Sequence, residues 1–314
     1  MASDVDVSVV IPTYNRAAML RNAVDSVLGQ DTTVPFEIVI VDNNSQDDTE
    51  TVARALVAAN PEKVRYVVER EQGNAHARNR GVQTARGAII AFIDDDVTVE
   101  GDWLSTLKNV LDSRDELSFV GGRVLPQWDG PPPSWLTPDH WSPLALLDYG
   151  PDELIIGGNR PRGLLTANIA FRRRVFDEVG TFSPHLQRVK NMIGSMEDTE
   201  FLLRVCRSGR QGLYSPGMIA RARVEVERLS KTYHRRWHTG HGHFYAVMSD
   251  PDWEHSSFRV AGVPGHLYKQ TLTHALKWLT TRATGNADAA FTHECHLRFF
   301  RGFIRQRRRQ LTQT

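Results

Sequence analysis

The sequence predicts an α/β fold, a mostly parallel sheet flanked by helices, with a helical extension at its C-terminal end. Two observations carry this. VSVVI (7–11), FEIVIV (36–41) and AIIAFI (88–93) are continuous apolar runs, not alternating ones, as strands covered by helices on both faces must be. Between them lie stretches whose apolar residues recur at helical spacing.

The first strand ends near Pro12 and feeds a helix over Arg16–Gly29, where Ala17, Leu20, Ala23, Val24, Val27 and Leu28 recur at helical spacing and Gly29 supplies a stop. After the second strand, DNNSQDD is a turn cluster opening a helix that Pro61 ends. VRYVV (64–68), a helix around Ala75–Ala85 and the strand AIIAFI complete the alternation. Pro126–Gly163 holds eight prolines and three tryptophans without sustained period, a long loop whose tryptophans argue against disorder. LLTANIAFRRRVFDEVG and MEDTEFLLRVCRSG restore regular patterning, and from about Arg221 the chain reads as separate helices. The expected division is a catalytic domain over 1–220, in halves 1–100 and 101–220, and a helical region over 221–314.

Composition narrows the function. Net charge is +1, which gives no general reason to expect nucleic-acid binding. Two cysteines cannot make a disulfide framework, no apolar stretch is long enough to span a bilayer, and no signal peptide is visible at the start. These point to a cytoplasmic protein. Charge is uneven, however: from Phe258 onward ten Lys/Arg face two acids, so the rest of the chain is acidic.

In parallel α/β sheets, ligands bind beyond the carboxyl ends of the strands. Three polar clusters lie there: Pro12-Thr13-Tyr14-Asn15, Asp42–Ser45 and Asp94-Asp95-Asp96. Three consecutive carboxylates repel one another, and a divalent cation such as Mn²⁺ or Mg²⁺ relieves that repulsion; the alternative is a solvated turn. Asp42 can accept from a nucleobase or cap the following helix. Arg78 suits a diphosphate. Glu197-Asp198-Thr199-Glu200 opens a helix, where acids are favoured by the dipole and where a general base would be rigidly held. No G-x-G-x-x-G after a strand, no P-loop and no G-x-S-x-G is present.

Taken in order, VSVVIPTYNRAAMLRNAVDSVLGQ, FEIVIVDNNSQDDT, GNAHARNRGVQTARGAIIAFIDDDV, TANIAFRRRVFDEVGTFSPHL and GSMEDTEFLLRVCRSG resemble the family 2 glycosyltransferases of GT-A fold over roughly residues 7–215. The resemblance implies an inverting, metal-dependent transfer of a single sugar from a nucleotide-sugar, UDP favoured, to an acceptor hydroxyl in glycan or glycoconjugate assembly. It places Asp42 at the base, Pro12, Thr13 and Asn15 along the nucleotide pocket, and Arg78 near the diphosphate. Asp94 and Asp96 become the metal-binding D-x-D pair, with Asp95 between them at the nucleotide and Asp96 holding the metal directly. Asp198 becomes the general base. The acceptor would be carbohydrate, lipid-linked or a small molecule. Alternatives are a retaining enzyme on the same scaffold, or an inactive nucleotide- or glycan-binding module.

The family's H-x-V segment corresponds here to Ala222-Arg223-Val224, with alanine for histidine. YHRRWHTGHGHF brings His234 and His238 one helical turn apart without acidic or cysteine partners nearby; it reads as surface, or as a diphosphate contact through Arg235 or Arg236. The tail HLRFFRGFIRQRRRQ is a basic amphipathic helix. It suits peripheral contact with an anionic membrane, or docks on the catalytic domain.

Overall fold

The computed structural model describes residues 5–187, 193–252, 254–256 and 258–312. The chain divides into two compact units. The first comprises Met1–Gln127, Ala145–Lys190 and Glu197–Arg223, and the second Trp128–Leu144, Asn191–Met196 and Val224–Thr314.

The first unit opens with the expected alternation: β1 (Val7–Thr13), α1 (Ala17–Leu28), β2 (Phe36–Asp42), α2 (Thr49–Ala59), β3 (Val64–Val68), α3 (Asn74–Thr84) and β4 (Ile89–Phe92). There follow β5 (Val97–Val99), α4 (Trp103–Ser113), β6 (Leu117–Trp128), β7 (Leu154–Ile156), β8 (Ile169–Arg172), α5 (Arg174–Val179), α6 (Glu197–Arg207) and β9 (Gln211–Val224). The sheet runs β3-β2-β1-β4-β8-β6-β9-β5, with β7 beside β9. The first four strands are parallel: β1 pairs with β2 and β4, and β2 with β3. Beyond them β8 turns antiparallel against β4 and β6, and β5 and β7 run antiparallel to β9. The α/β architecture is thus the expected one, and every antiparallel pairing in this sheet involves a strand that follows β4 in the chain.

Register sets the site. Thr13 lies opposite Asp42, so β1 and β2 finish level, and Val10 lies opposite Phe92, which puts Asp94–Asp96 just past the same edge. Under that edge Phe92, Phe171, Phe176, Phe182 and Phe201 form one aromatic cluster, with Phe182 and Phe201 centroids 4.6 Å apart and Phe176 stacked on Phe201 at 5.2 Å. Such pairs add about 0.5–1.5 kcal/mol each beyond their burial. Phe201 belongs to α6 and Phe92 to β4, so the cluster fixes the start of α6 relative to the strand ends.

The second unit holds α7 (Lys231–Met248), the short hairpin β10 (Arg259–Val260) and β11 (Val263–Pro264), α8 (Gly265–Ala283) and α9 (Ala287–Leu311). α7 and α9 meet backbone to backbone: a Cβ on Gly242 would lie 2.0 Å from the Phe299 carbonyl oxygen, and one on Gly302 2.0 Å from that of Thr239. Glycine in mid-helix costs about 1 kcal/mol, and here the close approach explains it. The histidine segment is not plain surface: His238, His241 and His243 are half-buried, while Arg236 is exposed. His234 is fully buried and meets Trp135 and Phe291 edge-on at 4.9 and 6.4 Å, while His241 stacks on Trp237 at 4.2 Å. Arg235 is held by Glu294 at 2.8 and 2.9 Å. Helix α9 is docked: Phe291, Cys295, Phe300 and Phe303 are buried, and Arg301, Arg305, Arg308 and Arg309 point outward. Cys206 and Cys295 are both free, buried thiols.

Candidate active site

Pro12, Thr13, Asn15, Asp42, Arg78, Asp94, Asp95, Asp96 and Asp198 all fall in the first unit, whereas Arg235 and Arg236 fall in the second; three strand-end loops are tied together around the first group. Asn15 adopts a left-handed φ of 52°, a conformation asparagine tolerates. Its backbone N–H donates to Ser45 Oγ (2.9 Å), and its Oδ1 accepts from the Gln46 N–H (2.7 Å). The Ala17 N–H donates to Asp47 (3.2 Å), which fastens the loop after β1 to the loop after β2. Asp42, buried at the end of β2, accepts from the Ser45 N–H (2.9 Å) and the Tyr66 hydroxyl (2.8 Å). It therefore forms a local turn instead of capping α2. Pro12 and Thr13 are buried beside it, and Tyr14 stands 44% exposed at the rim.

The acidic run is bound by arginine. Arg16 Nη1 donates to Asp96 at 2.5 Å and to Asp95 at 3.2 Å, and the Arg223 N–H donates to the Asp96 carbonyl at 2.9 Å. Burial first, and then the neighbouring Asp96, push the Asp95 carboxyl up to about 7 against the pull of Arg16. Asp94 remains about a third exposed and accepts from Arg78 Nη2 at 3.2 Å.

Arg78 is the centre of the arrangement. It lies on α3, is buried, and donates through Nη1 to Glu197 Oε1 at 2.8 Å as well as to Asp94. Its guanidinium sits 5.8 Å from the Phe182 ring centroid. A sequence candidate for a diphosphate contact, it ties the acidic run to the first residue of α6. Asp198, next to Glu197, is half-buried and accepts from the Thr199 N–H at 2.7 Å. Desolvation and the Glu197 charge push its carboxyl up to about 6, with Arg78 opposing. A carboxyl poised there can exchange a proton near neutral pH.

The donor set suits a hard divalent cation: Asp94 and Asp96 are carboxylates with some access to solvent, next to a third whose ionisation they oppose. In this structure the carboxylates turn to Arg16 and Arg78, and among the described residues no group of three or more His, Cys, Asp or Glu is arranged to hold a metal. Ala222 lies opposite Val97, the residue that follows Asp96, in the β5–β9 register.

Five residues of the site escaped the sequence reading in these roles. Arg16 and Glu197 complete the ion-pair network. Tyr66 holds Asp42. Asn43 accepts from the Gly73 N–H (2.7 Å), and Gln187 from the Ala75 N–H (2.9 Å), together fixing the start of α3. An arginine on the buried face of a helix demands an acidic partner, and that was the available signal for Glu197. Nothing in the local sequence marks Gln187.

Comparison with known proteins places this geometry. Residues 8–180 match the family described as glycosyl transferase family 2. Among curated relatives, a glucosyl-dolichyl phosphate glucuronosyltransferase from Haloferax volcanii is 32% identical over 184 residues, 58% of this chain and 57% of that protein. A GalNAc(5)-diNAcBac-PP-undecaprenol beta-1,3-glucosyltransferase from Campylobacter jejuni is 35% identical over 102 residues, 32% of each chain. The chain thus spans little more than half the length of the Haloferax relative. Among solved structures, a mannosyltransferase from Pyrobaculum calidifontis in complex with GDP-Man and Mn²⁺ superposes with TM-score 0.57 and 17% identity, over 92% of this chain and 85% of that one. GalNAc-T7 with UDP, GalNAc and Mn²⁺ gives 0.55 and 18%, over 81% and 52%. At such identities the likeness is one of fold, and that fold is GT-A. With the family matched across more than half its length, the chain belongs to glycosyl transferase family 2.

Proposed function

We propose that the protein transfers a single sugar, with inversion, from a nucleotide-sugar to an acceptor hydroxyl, with Asp198 as the general base. The observation that carries the reading is the bridge through Arg78, which links Asp94 at the strand ends to the start of α6, where Asp198 lies. Asp198 takes the proton of the acceptor hydroxyl as the oxygen bonds to the anomeric carbon and the bond to the diphosphate breaks. Its raised affinity for a proton suits it to that task at the pH of a cell. A divalent cation held by Asp94 and Asp96 would neutralise charge on the departing nucleoside diphosphate. Arg78 keeps Asp94 and Glu197 in place, and Pro12, Thr13, Asn15, Asp42 and Asp95 shape the nucleotide pocket, for which a uridine diphosphate donor is favoured.

A lipid-linked acceptor in glycoconjugate assembly is supported by the names of two relatives, which carry dolichyl phosphate and undecaprenol diphosphate. No helix among the described residues is long and apolar enough to cross a membrane; placement at the cytoplasmic face of one is part of this proposal. The test is a screen of UDP-, GDP- and dTDP-sugars against lipid-phosphate and free-sugar acceptors, following product anomeric configuration. An inverted product that vanishes with Asp198→Asn supports the reading. A retained configuration overturns it.

A further inference from the structure

Six of the ten exposed large hydrophobic residues among the described residues lie between Phe258 and Leu311: Phe258, Val260, Leu272, Leu276, Leu279 and Leu311. Three of them form a stripe. Leu272, Leu276 and Leu279 recur at i, i+4 and i+7 on α8, which places them on one face, and they are 62%, 56% and 55% exposed. The opposite face is occupied: His274 lies 4.0 Å from His296 and 6.1 Å from Phe300, ring to ring, on α9, and Leu267 is buried. The stripe is therefore the outer surface of α8, left uncovered within the chain.

Charge decides what covers it. α8 contains no Asp or Glu, while Lys269, Lys277 and Arg282 are exposed around the leucines. A second copy meeting this face would bring six cations together with no acid on either helix to offset them, whereas an anionic surface would meet each one favourably. Apolar side chains with flanking lysines and arginines are the pattern of a helix lying in the membrane interface. We propose that α8 is a membrane-docking face, with Leu272, Leu276 and Leu279 entering an anionic bilayer and Lys269, Lys277 and Arg282 at the headgroups. The tail helix α9, in which Phe291, Phe300 and Phe303 are buried and Phe299 is half-buried, adds charge through its outward arginines but only Leu311 as a large exposed apolar side chain among its described residues.

This inference goes beyond the reaction, and its test reads vesicle binding and not turnover, so it stands or falls apart from the sugar-transfer reading. The full chain is floated with vesicles of phosphatidylcholine and phosphatidylglycerol, and with phosphatidylcholine alone. Binding is expected only to the anionic vesicles, weakening as salt rises. Leu272→Ser/Leu276→Ser/Leu279→Ser should lower it at least tenfold, and Lys269→Glu/Lys277→Glu should lower it at least as far, each lost lysine accounting for roughly fivefold. All five positions are exposed, so both variants should keep the wild-type melting temperature. No flotation, equal flotation with neutral vesicles, or a serine variant that floats normally would overturn the proposal. So would a concentration-dependent dimer that the serine variant converts to monomer, since that makes a second copy the occupant.

Discussion

Arg78 and Glu197 stand 119 residues apart in sequence and 2.8 Å apart in the structure, both almost wholly buried. Removing one partner leaves the other as an uncompensated buried charge, which typically costs about 3–5 kcal/mol. Arg78→Met should therefore lower unfolding free energy by about that much in urea titrations. Arg78→Met combined with Glu197→Gln should recover part of the loss, because the stranded carboxylate is gone. A double-variant loss equal to the sum of the losses of Arg78→Met and Glu197→Gln taken singly would mean that the two side chains do not couple.

Asp198 yields a pH profile. With its carboxyl raised to about 6, the proposed base is ionised above that pH and protonated below it. kcat/KM should rise about tenfold per unit from pH 4.5 towards 6 and then level off. Asp198→Asn cannot accept the proton, so turnover should fall by roughly 10²–10⁴ while stabilisation by UDP, read from the melting temperature, stays as in the wild type. Glu197→Gln separates the neighbours: a normal profile in Asp198→Asn with a dead Glu197→Gln would move the base by one residue.

What could be read from the sequence was local. The apolar runs at Val7–Ile11, Phe36–Val41 and Ile89–Phe92 became parallel strands, and the polar clusters after them came to one edge because parallel strands joined by helices must all end on the same side. The antiparallel strands β6 and β9 were not legible: each mixes glycine and polar residues and takes its place from partners far away in the chain. The same limit applies within the site. Asp94, Asp96 and Asp198 announce themselves by type and position, but that Arg16 would reach Asp96 and Arg78 would face Glu197 depends on packing that no local pattern encodes. The histidines of α7 misled for the opposite reason. A polar residue type was read as surface, although its ring is apolar enough to pack against Trp135 and Phe291.

Arg16 competes with any cation for Asp96. Its guanidinium lies 2.5 Å from that carboxylate, and hydrogen bonds to charged groups contribute about 1.5–3 kcal/mol. Arg16→Ala should therefore tighten Mn²⁺ binding in the presence of UDP by roughly tenfold, measured by titration calorimetry. Weaker binding in the variant would mean that Arg16 orders the acidic turn instead of shielding it.

Helices α7 and α9 touch through glycine. A methyl group on Gly242 or Gly302 would meet a carbonyl oxygen of the facing helix at 2.0 Å, and the backbones must separate. Gly242→Ala and Gly302→Ala should each cost about 1–3 kcal/mol or more in thermal or urea unfolding. Gly101→Ala, where a Cβ meets nothing within 4 Å, is the control and should be near neutral.

Acid should destabilise the protein through the same helices. Burial holds His234 at about 4 and His241 at about 4, and burial with its histidine neighbours holds His238 at about 3, all below the 6.5 of a free imidazole. In each case the folded pKa is depressed, so the folded chain keeps the ring neutral while the unfolded chain takes up a proton once pH drops below about 6.5. Stability from this source is therefore complete above pH 6.5 and is lost as pH falls towards 4, with a total on the order of a few kcal/mol. Carboxylates also titrate near the lower end of that window, so the decisive quantity is a difference. His234→Phe keeps an aromatic ring against Trp135 and Phe291 and removes the titration. Its stability relative to wild type should improve steadily as pH falls from 6.5 to 4.5 in urea titrations. A constant difference across that range would show that His234 does not set the acid sensitivity.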